Sequence, residues 1–214
     1  MNSPYCFAYT STLKGEAVSN CVYELDAMSK VEINPGVAPF PKPIVLVGAM
    51  VNSKPNFNTI AWFNRLNGSP NIWGVAMGKK KYTLEGIRQS GRFSVNFPNV
   101  SIVSRVDFCG IYSGREVDKS ETFDVFYGKL GDVPMVKECP VTAECSVYEI
   151  VELPSTSLIL GEVQHAYIDE KFMTDGAPDL RKINPFVFVR PGDQYWALGD
   201  TVGDAWSIGK TFKE

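Results

Sequence analysis

Three adjacent cations stand just before a helix-like pattern in Met77-Gly78-Lys79-Lys80-Lys81-Tyr82-Thr83. A helix start presents amide donors without partners and a partial positive charge. Lysines beside such a start make a seat for a phosphate group. A solvated basic turn is the competing reading, because charge runs usually face water. Two other glycine–lysine runs approach a phosphate loop and fail on spacing. Gly74 to Gly78 is one residue too short for a Walker loop, and Gly203 to Gly209 is one too long. No GxGxxG run is present, so a dinucleotide-binding strand–helix unit has no support.

A second candidate is Asn56-Phe57-Asn58-Thr59-Ile60-Ala61-Trp62. As a strand it puts Asn56, Asn58, Ile60 and Trp62 on one face, and Phe57, Thr59, Ala61 and Phe63 on the other. Small polar groups among alanine and aromatics suit a flat heteroaromatic ring, which needs apolar walls and a few placed hydrogen bonds. A barrel strand with one wet face explains the pattern equally. A third cluster, Asp107 to Lys119, gathers glycines, hydroxyls, Arg115 and Lys119. Arg115 is placed to grip a phosphate or to pair with Asp118, although glycine-rich polar loops are usually plain turns. Cys109 recurs with Ile102 and Val106 at helical spacing, which favours packing over redox chemistry. His165 is the only histidine and is expected to cap or pack on its strand.

These segments need short strands to hold them. Ile44–Val51 reads as a buried strand, Asn52-Ser53-Lys54-Pro55 as a turn, and Asn56–Phe63 as a second strand. Asn71–Met77 follows as a third. Phe93, Val95 and Phe97 alternate with Ser94 and Asn96, the sign of a half-buried strand. Val141, Ala143, Cys145 and Val147 alternate likewise, and Ser157–Ile168 and Phe186–Val189 complete the set. Helices are fewer. Thr83 is expected to cap one, with Leu84 and Ile87 inward and Gly91 closing it. Ile102, Val106 and Cys109 mark a second. Many strands without strand–helix alternation predict a mainly β (α+β) barrel with a few short helices, not a doubly wound sheet.

The 214 residues suffice for one domain, and a hydrophobic content of 44% argues against disorder. Residues 1–30 are polar and aperiodic and read as an atypical N-terminal extension, with the domain over 31–214; Asn34-Pro35-Gly36 and the prolines 39, 41 and 43 form its stiff entry. A net charge of -3 argues against a nucleic-acid partner. No apolar run approaches a membrane span, and the first residues lack the pattern of a signal peptide. Five scattered cysteines read as reduced thiols of a cytoplasmic protein. Zinc finds no CxxC and only one histidine.

Taken in order, the segments resemble the flavin reductase-like family, most closely its flavoredoxin branch. The residues that carry the likeness are Pro43–Val51, Asn56–Trp62, Lys79–Thr83, Ser94–Phe97, Cys109–Lys119 and Glu138–Cys145, with the tail Tyr195-Trp196 to Gly209-Lys210. They cover roughly residues 35 to 210. The resemblance implies an FMN-binding split β-barrel that works as a homodimer. It implies a ring lying against Asn58, Thr59, Ile60, Ala61, Trp62 and Met77. The phosphate would sit at Lys79, Lys80, Lys81, Tyr82 and Thr83, helped by Arg115 and Lys119. Asn56, Asn96 and Ser113 belong to the same implied site. The family's turn commonly reads Arg-Lys-Ser-Arg-Tyr-Thr; here Gly78-Lys79-Lys80-Lys81-Tyr82-Thr83 offers point charges without a guanidinium fork. Trp196 and Trp206 would cover the ring from the partner subunit or pack in the core. The implied activity is NAD(P)H-dependent electron transfer to free flavin, a ferric complex or a redox protein. The alternatives are an electron carrier without efficient NAD(P)H use and a barrel whose flavin site has decayed.

Overall fold

The computed structural model describes residues 30–212. The expected extension over residues 1–30, with Cys6 and Cys21, therefore lies almost wholly outside the described residues. Backbone contacts divide the chain into one unit ending at Gly36 and another from Val37 onward. In the first, the Gly36 amide donates to Asn34 Oδ1 at 2.9 Å and closes a turn.

The second unit opens with β1 (Lys42–Pro43), β2 (Val45–Val51), β3 (Lys54–Ile60), β4 (Phe63–Asn67) and β5 (Ile72–Gly78). Helix α1 (Tyr82–Ser90), β6 (Arg92–Phe97) and α2 (Val103–Ile111) follow. Next come a small hairpin, β7 (Val125–Tyr127) and β8 (Pro134–Val136), and a long one, β9 (Val141–Glu152) and β10 (Thr156–Ile168). The chain then passes through β11 (Met173–Thr174), β12 (Ala177–Pro178), α3 (Leu180–Ile183), β13 (Phe186–Val189) and β14 (Gln194–Ala197). The mainly β architecture with short helices is the one expected from the strand pattern.

Seven strands form one antiparallel sheet in the order β3-β2-β6-β9-β10-β5-β4. Its two edges, β3 and β4, are consecutive in sequence, joined only by Ala61 and Trp62. The sheet must therefore curl until its edges approach, with the chain itself as the link. The Ala76 amide donates to the Trp62 carbonyl at 2.9 Å, but β3 and β5 do not form a ladder. The barrel is split along that seam.

This geometry corrects the single strand expected over Asn56–Phe63. Asn52 and Ser53 take positive φ angles of 48° and 62°, the tight two-residue hairpin, so β3 already begins at Lys54. It ends at Ile60 because Phe63, opening the opposite edge strand β4, must pair with Val75 of β5. Beyond Ile60 the alternation stops, and Trp62 lies 58% exposed after the bend. The half-buried strands also differ from expectation. Phe93 and Val95 enter the barrel interior, yet Ser94 and Asn96 on the other face are buried too. The β7–β8 hairpin covers them: Ser94 Oγ donates to the Pro134 carbonyl at 2.5 Å and Val136 N to Asn96 Oδ1 at 2.9 Å.

Two apolar cores result. Val45, Val47, Ile60, Val75, Met77, Leu84, Ile87, Phe93 and Val95 are among those filling the barrel. Leu46, Phe57, Val106, Cys109, Phe123 and Phe186 are among those packing α2 and the later strands on its outside. Strand β2 feeds both, which is why its sequence is apolar without alternation. Leu84 and Ile87 turn α1 into a plug against the barrel core. Gly86 lets α1 approach β2, since a Cβ there would collide with the Met50 carbonyl and lie 2.8 Å from Val51 Cγ2.

Candidate functional site

Strand β5 ends at Gly78, and after Lys79 to Lys81 the chain enters α1 at Tyr82. Lys81 is the N-cap residue, with extended backbone and no side-chain capping bond. The amides of Tyr82 and Thr83 thus have no acceptor within the helix. Thr83 was the expected cap. It lies instead inside the first turn, 1% exposed, with its hydroxyl accepting from Asn56 Nδ2 at 2.7 Å. The contact ties α1 to β3. It leaves the helix start uncapped toward a cleft of about 280 Å³ lined by Asn56, Asn58, Gly78, Lys80, Lys81, Tyr82, Thr83, Ile111, Tyr112, Ser113, Gly114 and Lys119. The three lysines diverge. Lys80 and Lys81 line the cleft, whereas Lys79 pairs with Glu152 at 3.2 Å, a carboxylate that Arg88 also holds at 2.5 Å.

A second, more open cleft of about 400 Å³ follows the seam between β3 and β5. Asn58, Thr59, Ile60, Ala61, Trp62, Ala76, Met77, Gly78, Lys81, Ser155 and Thr156 line it. The two clefts share Asn58, Gly78 and Lys81, so they form one groove with an apolar end and a cationic end. Asn58 is the hinge between them. It is 3% exposed, and its Nδ2 has no hydrogen-bond partner. Neither cleft is lined by histidine, aspartate or glutamate.

The loop after α2 supplies the facing wall. Lys119 is 3% exposed and donates from Nζ to the carbonyls of Cys109 at 2.8 Å and Phe57 at 3.1 Å. It staples the end of α2 to β3, and burial pushes its ammonium pKa below the ordinary lysine value. Cys109 packs in the outer core, where burial raises its thiol pKa to about 11. Arg115 is the residue whose position departs most from a phosphate grip. Its guanidinium donates to the Lys80 carbonyl at 2.9 Å, pairs with Glu85 and lies 4.9 Å from the centre of the Tyr82 ring. Asp118 pairs with Lys54, not with Arg115, at 2.7 Å. Asn96 lies away from both clefts, donating to the Leu46 carbonyl and Ser94 Oγ inside the sheet. His165 sits half-buried on β10. Trp196 and Trp206, 57% and 93% exposed, are not core residues of this chain. Among the described residues no cluster of His, Cys, Asp and Glu is suited to a metal ion, and no helix is long and apolar enough to cross a membrane.

Residues 37–190 match the family model described as the flavin reductase like domain. The chain belongs to the flavin reductase-like family. Flavoredoxin from Methanosarcina acetivorans is 42% identical, superposes with a TM-score of 0.83, and the match covers 86% of this chain and 98% of that one. Flavoredoxin of Desulfovibrio vulgaris is 31% identical with a TM-score of 0.78, over 85% and 100% of the two chains. An FMN-binding protein from Thermus thermophilus, 23% identical with a TM-score of 0.71 over 83% and 98%, shares the fold.

Several lining residues of this flavin reductase-like chain escaped sequence reasoning. Ser155 and Thr156 reach the groove only because β10 pairs with β5, setting Thr156 opposite Gly78. Gly114 is needed where the loop presses on β3 and α1; a Cβ there would collide with the Asn56 amide and lie 2.8 Å from Tyr82 Cδ1. Ile111 and Tyr112, like Gly114, lay within the Asp107–Lys119 cluster marked in the sequence, and both remain exposed at the end of α2.

Proposed function

We propose that the chain is an FMN-binding flavoprotein oxidoreductase that moves electrons from NAD(P)H to a free flavin, a ferric complex or a redox protein. The observation that carries this reading is Asn58. A buried amide donor without a partner costs about 1–3 kcal/mol, and this one stands where the apolar and cationic ends of the groove meet. An acceptor on the edge of a flat ring lying along β3 and β5 would relieve that cost. From there a phosphate reaches Lys80, Lys81 and the uncapped amides of α1. The residues therefore fit FMN. The 42% identity to a protein named flavoredoxin supports a flavin as the occupant.

The chemistry that bound FMN supplies is acceptance of a hydride from a reduced nicotinamide and onward delivery of electrons. The chain's own residues hold and orient. Met77, Ile60 and Ala61 form the apolar wall, Asn58 offers a donor to the ring edge, and the lysines neutralise phosphate charge. The lining holds no histidine, aspartate or glutamate, and hydride transfer to a flavin does not depend on one.

The ring-end cleft is open and Trp62 stands exposed at its mouth, so we propose a homodimer in which a second copy covers it. Light scattering is expected to give twice the chain mass of 23.7 kDa. The buried free thiols Cys109, Cys139 and Cys145 support a reducing, cytoplasmic setting. The name flavoredoxin also favours a second reading, an electron carrier with slow NAD(P)H use. Anaerobic mixing with NADH and with NADPH separates the two. Rapid bleaching of the flavin band near ~450 nm supports the reductase, and no bleaching with either nucleotide leaves the carrier. A colourless protein that takes up no FMN overturns both and matches a decayed site.

A further inference from the structure

A third cleft, of about 250 Å³, lies beyond the cationic end of the groove. It shares Asn56, Tyr82, Gly114 and Lys119 with the phosphate-end cleft and nothing with the ring-end cleft. The phosphate end is therefore the middle of a row of three, and the Tyr82 ring with its Arg115 cover stands between it and the third cleft. Tyr82 is held from three sides. Asn52 Nδ2 donates to its hydroxyl at 2.9 Å. The backbone of Gly114 presses on its ring so closely that no Cβ fits between them. The Arg115 guanidinium covers the ring at 4.9 Å while fastened to Glu85 and to the Lys80 carbonyl. Behind it, Lys54 pairs with Asp118 at 2.7 Å.

We propose that this partition makes the groove a mononucleotide site. It admits FMN, whose chain ends in a phosphate, and disfavours FAD, whose second phosphate and adenosine would meet Tyr82 and Arg115 on continuing along the row. The proposal rests on the flavin reading and adds to it a specificity device. Arg115 then acts by closing the end of the site and not by gripping the phosphate, and discrimination comes from a steric obstacle to the larger ligand.

The test is titration of the full-length chain with FMN and with FAD, followed by quenching of flavin fluorescence. The wild type is expected to bind FMN at least about tenfold more tightly than FAD. Arg115→Ala removes the cover and the Glu85 pairing, and is expected to shrink that ratio by about tenfold, mainly through tighter FAD binding. Glu85→Gln, which keeps the side-chain size and removes only the charge partner, shifts the ratio in the same direction. Equal wild-type affinities, or a ratio unmoved in both variants, overturn the partition. So does an Arg115→Ala variant that loses FMN affinity as strongly as FAD affinity, since that is the mark of a direct phosphate ligand. A wild-type chain that binds neither flavin overturns the flavin reading itself, and the partition with it.

Discussion

Asn58 is buried with an idle amide nitrogen, and such a group weakens a fold that has no ligand to satisfy it. Asn58→Leu keeps the volume and deletes the polar atoms. We expect the flavin-free variant to melt no lower than the wild type, and higher if the full penalty of about 1 kcal/mol is recovered. Its FMN affinity should fall by about tenfold. Thermal unfolding and flavin titration on one preparation check both, and a variant less stable but equally able to bind would sink the assignment. The lysines divide in the same way. Lys81 lines both ends of the groove, whereas Lys79 is paired with Glu152 at the surface. Lys81→Ala is expected to cost about 1.5 kcal/mol of FMN binding. Lys79→Ala should change it by less than about threefold, because exposed pairs contribute little. The adjacency of the cations was legible in the sequence. Their divergence was not, because it depends on Glu152, which arrives by long-range strand pairing.

At the level of elements, the site exists because β3 and β4 lie on opposite edges of one sheet yet follow each other in the chain. The seam this leaves between β3 and β5 is the more open cleft of the groove. Helix α1 packs its Leu84 and Ile87 into the barrel core, and its start lines the cationic end of the groove. Its position depends on Gly86, which lies against the Met50 carbonyl. Gly86→Ala improves helix propensity by about 1 kcal/mol, but overpacking costs about 1–3 kcal/mol. We expect net destabilisation, seen as a lower denaturation midpoint, together with weaker FMN binding as α1 is pushed from β2. A variant more stable than the wild type would show that the helix can shift without loss. The β2 run, the α1 pattern closed by Gly91, and the alternation in β6 and β9 were all readable. Strand β4 was not, because Asn64, Arg65, Leu66 and Asn67 are exposed on an edge and carry no periodic apolar signal.

For the whole molecule, three thiols are sealed into the two cores or beside them. Burial raises Cys109 to about 11 and Cys145 to about 12, and Cys139 well above its ordinary 9.0. Below about pH 9 all three are protonated in both the folded and unfolded chain, so the stability they permit is fully present. Above that, the unfolded chain releases protons that the folded chain retains, and stability falls until the folded values are reached. The depressed Lys119 ammonium acts in the opposite direction and is outnumbered. The melting temperature is therefore expected to decline from about pH 9 to about 12, and less steeply in Cys145→Ala. A flat profile, or labelling of these thiols by iodoacetamide in the native state, would contradict the burial.

The sequence by itself determined the strand-rich class, the principal strands and helices, and the order of motifs that marks the flavin reductase-like family. These depend on local period and on residue type in succession, which a linear reading preserves. It also marked most of the groove, since Asn58, Ile60, Met77, Lys81 and Thr83 stand on recognisable elements. Only the tertiary structure decided which lysines face the groove, that both faces of β6 are buried, that Thr83 bonds Asn56 instead of capping, and that Arg115 pairs with Glu85. Each of these depends on a contact between residues far apart in the chain. Such contacts arise when a sheet curls on itself, and no spacing rule along one strand records it. The basic turn before α1, the first feature to suggest chemistry, keeps two of its three cations for the site because of that curl.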